Sequence, residues 1–147
     1  MQLDLNKQYQ SMLILWFALL TSVGLYFVLC LFAAPPLILE SRPQTQSLII
    51  VILIVAGALA VLISFLVKSR LVERAIQEQK PGGVQAAMIV ALAMCEVSAL
   101  LGLFERFVYA NREYLWLFLF AVGGMLLHFP RRGQLEAANF KSGSTQF

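Results

Sequence analysis

Uninterrupted apolar runs are the feature that most restricts how this chain can fold. A transmembrane α-helix needs about 20 consecutive apolar residues, and three runs meet that length. A fourth run is shorter and contains the pair Gly123-Gly124. The predicted spans are residues 12–34, 47–67, 84–107 and 113–129. The sequence therefore predicts an all-α, integral membrane four-helix bundle, in a single domain over residues 1–147.

Helix-breaking residues and charges mark the borders of these spans. Pro35-Pro36 ends the first run, and Pro81-Gly82-Gly83 precedes the third. Residues 68–80 are polar and should prolong the second span as a solvated helix. Residues 130–147 are polar and show no clear periodicity, so we predict a flexible cytoplasmic tail there.

Composition excludes a soluble globular domain and argues against an enzyme. Hydrophobic residues make up 60% of the chain and charged residues 13%, against about 45–50% and about 25% in soluble domains. The sequence contains no nucleophile–base pair, no phosphate-binding glycine loop and no metal-ligand spacing. We therefore expect a non-enzymatic protein with no metal and no cofactor. The net charge of +3 needs no nucleic-acid partner, because a lipid bilayer with anionic headgroups suffices.

The distribution of basic residues predicts the orientation of the chain. Lysine and arginine concentrate on the cytoplasmic side of membrane proteins. The predicted spans place eight of the eleven basic residues on one side, namely Lys7, Lys68, Arg70, Arg74, Lys80, Arg131, Arg132 and Lys141. The other side has Arg42, Arg106 and Arg112. The prediction is a multi-pass protein of a cell inner (plasma) membrane with both termini in the cytoplasm.

Glu96 is the principal candidate for chemistry, because it lies near the middle of the third span. An ionisable group at that depth costs about 2.5–3.5 kcal/mol on insertion scales, so it should face protein rather than lipid. The available partners are Thr21, Ser22 and Tyr26, near the middle of the first span. Three interpretations remain open: a neutral acid that fixes packing, a proton-exchanging carboxyl, and a polar contact to a partner subunit.

Small residues predict where the helices approach one another closely, as in small-xxx-small packing. The third span carries Ala91, Cys95 and Gly102 along one stripe. The second span offers a matching surface of Ala56, Ala60 and Ser64, with Gly57 alongside. Cys95 and the other cysteine, Cys30, lie at different depths and are interpreted as buried hydrophobic residues rather than a disulfide.

His128 is the only histidine. A lone membrane histidine can be an axial ligand of haem or of a pigment. Here it ends the fourth span, just before Pro130 and two arginines. The favoured interpretation is therefore an interfacial cap, and a pigment- or haem-binding role is the alternative.

Residues 74–104 resemble the carboxylate-bearing second helix of the rotary ATP synthase c subunit, the proteolipid. Gln79 and Pro81 match the polar loop of that family. The helix motif is matched by Ala91-Leu92-Ala93, Glu96, Ala99-Leu100 and Gly102-Leu103. The resemblance implies that Glu96 is the ion-carrying position. The family's repeated glycines on the other helix are reduced here to Gly57.

The function expected from the sequence is that of an accessory or structural subunit. Such a protein would pack within a larger membrane complex or as a homo-oligomer. The alternative is a c-subunit-like protein that translocates protons or cations through Glu96. A pigment- or haem-binding subunit that uses His128 is the third interpretation.

Overall fold

The computed structural model describes residues 2–37 and 44–139 and is all-α in those ranges. The helices are α1 (Gln2–Phe32), α2 (Gln44–Gln77), α3 (Pro81–Tyr109), α4 (Tyr114–Leu127) and α5 (Arg132–Asn139). Three helices are long and apolar enough to cross a membrane, and a fourth span results if α4 and α5 are counted as one bent span. The prediction of an all-α membrane bundle is confirmed.

The α3–α4 pair lies between α1 and α2. Helix α3 packs against α1, α2 and α4, whereas α1 and α2 do not contact each other within the described residues. Helix α3 is accordingly the most buried of the three long helices, and α1 is the least buried. The apolar outer faces of α1 and α2 remain exposed, which is the arrangement expected of helices that face lipid.

Glycine allows α2, α3 and α4 to meet closely at two positions. A Cβ atom on Gly57 of α2 would collide with Leu117 Cδ2 of α4 and lie 2.8 Å from Ser98 Oγ of α3. A Cβ atom on Gly124 of α4 would lie 2.8 Å from Cys95 Sγ. Side chains at these two positions would therefore separate the helices.

The predicted packing residues differ in burial, and the buried face of α2 differs from the predicted surface. Gly57, Ala91, Cys95 and Gly102 are buried. Ala60 is only half-buried and Ala56 is exposed. The buried face of α2 instead runs through Gly57, Val61 and Ser64, because the spacing i, i+4, i+7 keeps these residues on the side of the helix that contacts α3.

The α2–α3 connection is a tight turn with a Schellman pattern. Lys80 N–H donates to the Ala75 carbonyl oxygen and Gln79 N–H to that of Ile76, while Gln79 adopts φ 54°. Helix α2 reaches Gln77, which confirms the predicted prolongation. Helix α3 begins at Pro81, three residues before the predicted start, because proline is well suited to the first helical position. Gly83 then packs on Ala75, whose Cβ would lie 2.8 Å from a Cβ at Gly83.

The fourth apolar segment differs from the prediction of one span over residues 113–129. Helix α4 has 14 residues, which corresponds to about 21 Å and is shorter than the hydrocarbon core of about 30 Å. The chain then bends by 53° into α5. The break coincides with Pro130, which cannot donate a backbone hydrogen bond.

The prediction of a flexible tail over residues 130–147 is wrong for Arg132–Asn139, which form α5. Leu135 and Ala138 are buried, at 2% and 1% exposure, and α5 contacts α1, α2 and α3. A spacing of three residues places the two side chains on one face, so even this short polar helix can dock. Residues 140–147 of the predicted tail lie outside the described ranges.

Candidate functional site

Glu96 on α3 accepts two hydrogen bonds from α1. Ser22 Oγ donates to Glu96 Oε1 at 2.9 Å, and the Tyr26 hydroxyl donates to the same oxygen at 3.0 Å. Ser22 and Tyr26 are four residues apart, so they lie on one face of α1, one turn above the other. The carboxyl group therefore lies in the α1–α3 interface, in contact with two of its three candidate partners.

Thr21, the third candidate partner, does not reach Glu96. Its hydroxyl donates to the Phe17 carbonyl oxygen of its own helix at 2.8 Å, and the side chain is exposed. One residue along a helix rotates the side chain by about 100°, which turns Thr21 away from α3. Thr21 and Ser22 therefore differ in the direction of their side chains, which the packing of α1 on α3 fixes.

Glu96 lies at the border between the buried and the exposed faces of α3. It is half-buried, its neighbours Ala93 and Val97 are exposed, and Cys95 is buried. Within the described part of the chain, Glu96 takes part in no ion pair. Both hydroxyls donate to Oε1, so the side-chain contacts that Glu96 makes with α1 converge on one carboxyl oxygen.

A second polar cluster lies at the end of α4 and was not predicted as a unit. His128 Nε2 lies 2.8 Å from Ser64 Oγ of α2, and Ser64 Oγ lies 3.6 Å from Cys95 Sγ of α3. Ser64 Oγ also lies 2.6 Å from the Val61 carbonyl oxygen. Serine has one hydroxyl proton, so when it donates to Val61 the histidine must carry its proton on Nε2. The sequence singles out all three residues of this Ser64–Cys95–His128 cluster, but only the pairing of the helices brings them together.

His128 lies inside the bundle, with 1% of its surface exposed. It does stand at the C-cap of α4, but its ring packs against Phe65, with 4.2 Å between ring centroids. One ring nitrogen is directed at Ser64. A haem or pigment macrocycle would have to displace these side chains of α2 to reach the imidazole. The surroundings of His128 therefore suit a packing role better than an axial ligand.

The end of α4 receives donors from both flanking helices. The last carbonyl groups of a helix have no partner inside the helix, which is costly in an apolar setting. Trp16 Nε1 of α1 donates to the Met125 carbonyl oxygen at 2.8 Å, and Lys68 Nζ of α2 donates to that of His128 at 3.3 Å. A cation at this position also interacts favourably with the negative end of the helix dipole. These contacts explain how α4 can end inside the bundle.

A third group of polar side chains is buried at the α3–α4 connection. Glu105, Arg106 and Asn111 are exposed by 0%, 6% and 1%. The Arg106 guanidinium lies 5.7 Å from the ring centroid of Tyr114, and Asn111 Oδ1 accepts a hydrogen bond from Glu113 N–H at 2.9 Å. Sequence reasoning treated Glu96 as the one carboxylate of interest. The predicted third span, residues 84–107, already contains Glu105, but a position near the end of a span gives no sign that the side chain is buried.

Comparison with known proteins gave no relatives: no family model, no curated protein and no solved structure matches this chain. Within the described residues, no three histidine, cysteine or acidic side chains are grouped so that they could hold a metal ion.

Proposed function

We propose that this chain is a non-enzymatic integral membrane protein that binds and exchanges a proton at Glu96. The observation that carries the proposal is the pair of hydrogen bonds from Ser22 and Tyr26 to Glu96 Oε1. The resemblance of residues 74–104 to the proteolipid helix supports the same residue. In the proposed cycle Oε2 takes up and releases the proton, while Oε1 keeps its two donors.

The strengths of these contacts suit a group that changes its protonation state. A carboxylate near mid-membrane costs about 2.5–3.5 kcal/mol on insertion scales. A hydrogen bond to a charged group contributes about 1.5–3 kcal/mol. Two such bonds offset a cost of this size, and the protonated acid can accept them as well. The α1–α3 interface can therefore hold both forms without a cationic partner.

The donor pattern favours a proton over a metal cation as the bound species. Hard cations such as Mg²⁺ and Ca²⁺ take six or more oxygen ligands. Ser22 and Tyr26 direct their hydroxyl protons at the carboxyl group, whereas a cation would need their lone pairs. The site also has one carboxyl group, which limits the charge that it can neutralise.

The proposed location is a bacterial inner membrane, with both termini in the cytoplasm. The turn between α2 and α3, the start of α1 and helix α5 share one end of the bundle, which we call the basic end. The positive-inside rule supports a cytoplasmic basic end, because most lysine and arginine residues lie there.

The test is the reaction of the purified protein with a hydrophobic carbodiimide, which modifies protonated carboxyl groups in apolar surroundings. Mass spectrometry should locate the label on Glu96, with faster reaction at lower pH. The label should be absent in Glu96→Gln and unchanged in Glu113→Gln, which alters an exposed carboxyl. Proteoliposomes should lose proton exchange in the first variant only. Labelling without pH dependence, or unchanged exchange in Glu96→Gln, would contradict the proposal.

The second candidate function is that of an accessory subunit in a larger membrane complex or homo-oligomer. The half-exposed position of Glu96 beside Ala93 and Val97 favours it, because a neighbouring chain would shield the carboxyl from lipid. The test is gentle extraction from native membranes, followed by sizing and mass spectrometry. A stoichiometric complex or a homo-oligomer supports this function, and a monomer contradicts it. In a purely structural subunit, Glu96→Gln should leave assembly intact, since the two side chains are nearly isosteric.

A further inference from the structure

Three cations at the basic end already have a partner. Glu78 pairs with Arg74 at 3.1 Å and with Lys80 at 3.2 Å. The Arg132 guanidinium lies 4.5 Å from the ring centroid of Tyr9. These contacts neutralise or shield three of the positive charges and leave them little capacity for a further anion.

Lys68 and Arg131 are two basic residues at the break between α4 and α5, and among the described residues neither takes part in an ion pair. Lys68 is half-buried on α2, with Nζ held 3.3 Å from the His128 carbonyl oxygen. Arg131 follows His128 by three residues and immediately precedes α5, so chain connectivity keeps its backbone within about 11 Å of the residue that holds Lys68 Nζ. Two cations held in this way repel each other unless an anion lies between them.

The surroundings of the pair are apolar and exposed. Leu66 lies two residues before Lys68, and Leu127 and Phe129 precede Arg131; all three have large exposed surfaces. A site that combines two cations with lipid-facing apolar side chains matches the chemistry of a phospholipid. The cations can bind the phosphate, and the apolar side chains can pack against the acyl chains.

We propose that Lys68 and Arg131 bind the phosphate of an anionic phospholipid at the break between α4 and α5. The headgroup bridges the two cations, and the acyl chains lie along the apolar side chains of α2 and α4. Bound lipid relieves the repulsion between Lys68 and Arg131 and so holds the start of α5 against α2. This lipid site does not depend on proton exchange at Glu96.

The test compares thermal unfolding of the detergent-solubilised protein during titration with phosphatidylglycerol, phosphatidylcholine or inorganic phosphate. We expect the midpoint temperature to rise with phosphatidylglycerol alone. Lys68→Gln and Arg131→Gln should each weaken its apparent affinity about fivefold, since one basic residue near an anionic surface contributes on the order of 1 kcal/mol. Native mass spectrometry should show the same loss of bound lipid.

Arg70→Gln is the matched control, because it removes one exposed positive charge from the same helix, two residues from Lys68. Its affinity should equal that of the wild type. An equal loss in Arg70→Gln would indicate diffuse charge attraction and overturn the site. Equal stabilisation by phosphatidylcholine or by inorganic phosphate would overturn it as well. Arg131 is exposed, so Arg131→Gln still tests the site if Lys68→Gln unfolds.

Discussion

Trp16 of α1 donates its indole N–H to the Met125 carbonyl oxygen in the last turn of α4, over 2.8 Å. The two residues are separated by 109 positions in the chain. The same indole ring makes an edge contact with Phe129, with 5.2 Å between centroids. One side chain thus satisfies a helix-terminal carbonyl and packs on the residue that follows the helix. Because α4 is short, this contact helps to decide where the fourth segment ends.

Replacing Trp16 should destabilise the end of α4. Trp16→Phe keeps an aromatic ring but removes the donor, leaving the Met125 carbonyl oxygen without its partner. We expect a loss of about 1–3 kcal/mol in the free energy of unfolding. Faster hydrogen exchange of the amides in the last turn of α4 should accompany it. Trp116→Phe is the control, because Trp116 is exposed. Equal effects of the two substitutions would show that the hydrogen bond contributes nothing specific.

Glycine-to-alanine substitutions should have opposite effects at two positions. Gly57→Ala would force Leu117 and Ser98 to move, and overpacking typically costs about 1–3 kcal/mol. Gly24→Ala meets no atom within 4 Å, and alanine favours a helix by up to about 1 kcal/mol. Unfolding in mixed micelles measures both changes. If Gly57→Ala leaves the free energy of unfolding unchanged, the helices can move apart at little cost, and the close contact does not limit stability.

The hydroxyl contacts to Glu96 should couple energetically across the α1–α3 interface. In a double-mutant cycle, Tyr26→Phe and Glu96→Gln should interact by about 0.5–2 kcal/mol, the range found for contacts between membrane helices. Thr21→Val should show no coupling with Glu96→Gln, since Thr21 bonds within α1. Equilibrium unfolding of the four proteins of each cycle provides the measurement. If Thr21→Val and Glu96→Gln couple by the same energy, the substitutions act by shifting α1 as a whole rather than through the hydrogen bond from Tyr26.

Helix α5 should depend on one apolar side chain. Leu135→Ala removes a buried side chain, and such truncations cost about 2–5 kcal/mol in well-packed cores. A short terminal helix can undock without global unfolding, so the expected readout is faster proteolysis within α5 rather than loss of the bundle. Glu136→Ala, an exposed neighbour, should leave the cleavage rate unchanged. If Leu135→Ala resists protease as well as the wild type, other contacts hold α5.

The α2–α3 turn provides a titration test outside the membrane. Hydrogen bonds from Lys80 and Arg74 hold the pKa of the Glu78 carboxyl below its usual range. A lowered pKa means that the charged form favours the folded state. The contribution is therefore present above the usual carboxyl pKa and is lost as the pH falls through the lowered value. Lys80→Met should raise the pKa toward normal, as measured by carboxyl ¹³C shifts. Arg70→Met should leave it unchanged.

Much of the architecture could be predicted from local sequence patterns. Long apolar runs are sufficient to indicate transmembrane helices, and the small residues Gly57, Cys95 and Gly102, which the sequence places on packing surfaces, are buried. The positions of Glu96, Ser22 and Tyr26 along their spans are sufficient to place them at a similar depth in the membrane. Position along a span cannot separate Ser22 from Thr21, because neighbouring residues lie at nearly the same depth and differ in the direction of their side chains.

The other errors have a common cause. The burial of Glu105 and the docking of α5 depend on which helix lies beside which, and the sequence does not specify those neighbours. Ala56 was assigned to the packing face because alanine is small, yet the α2 surface that faces α3 is rotated toward Val61 and Ser64. Residue type limits how closely helices can approach, whereas the relative rotation of the helices decides which residues meet.

The sequence by itself determined that this protein is helical and membrane-embedded. Continuous apolar side chains favour the interior of a bilayer, and a chain in that interior must satisfy its backbone N–H and C=O groups within its own helices. Only the tertiary structure decided that Ser22 and Tyr26 share Glu96 Oε1, that Ser64 meets both His128 and Cys95, and that Lys68 reaches the His128 carbonyl oxygen. Each of these contacts joins residues on different helices. Their geometry follows from side-chain packing across the whole bundle, to which every helix contributes at once.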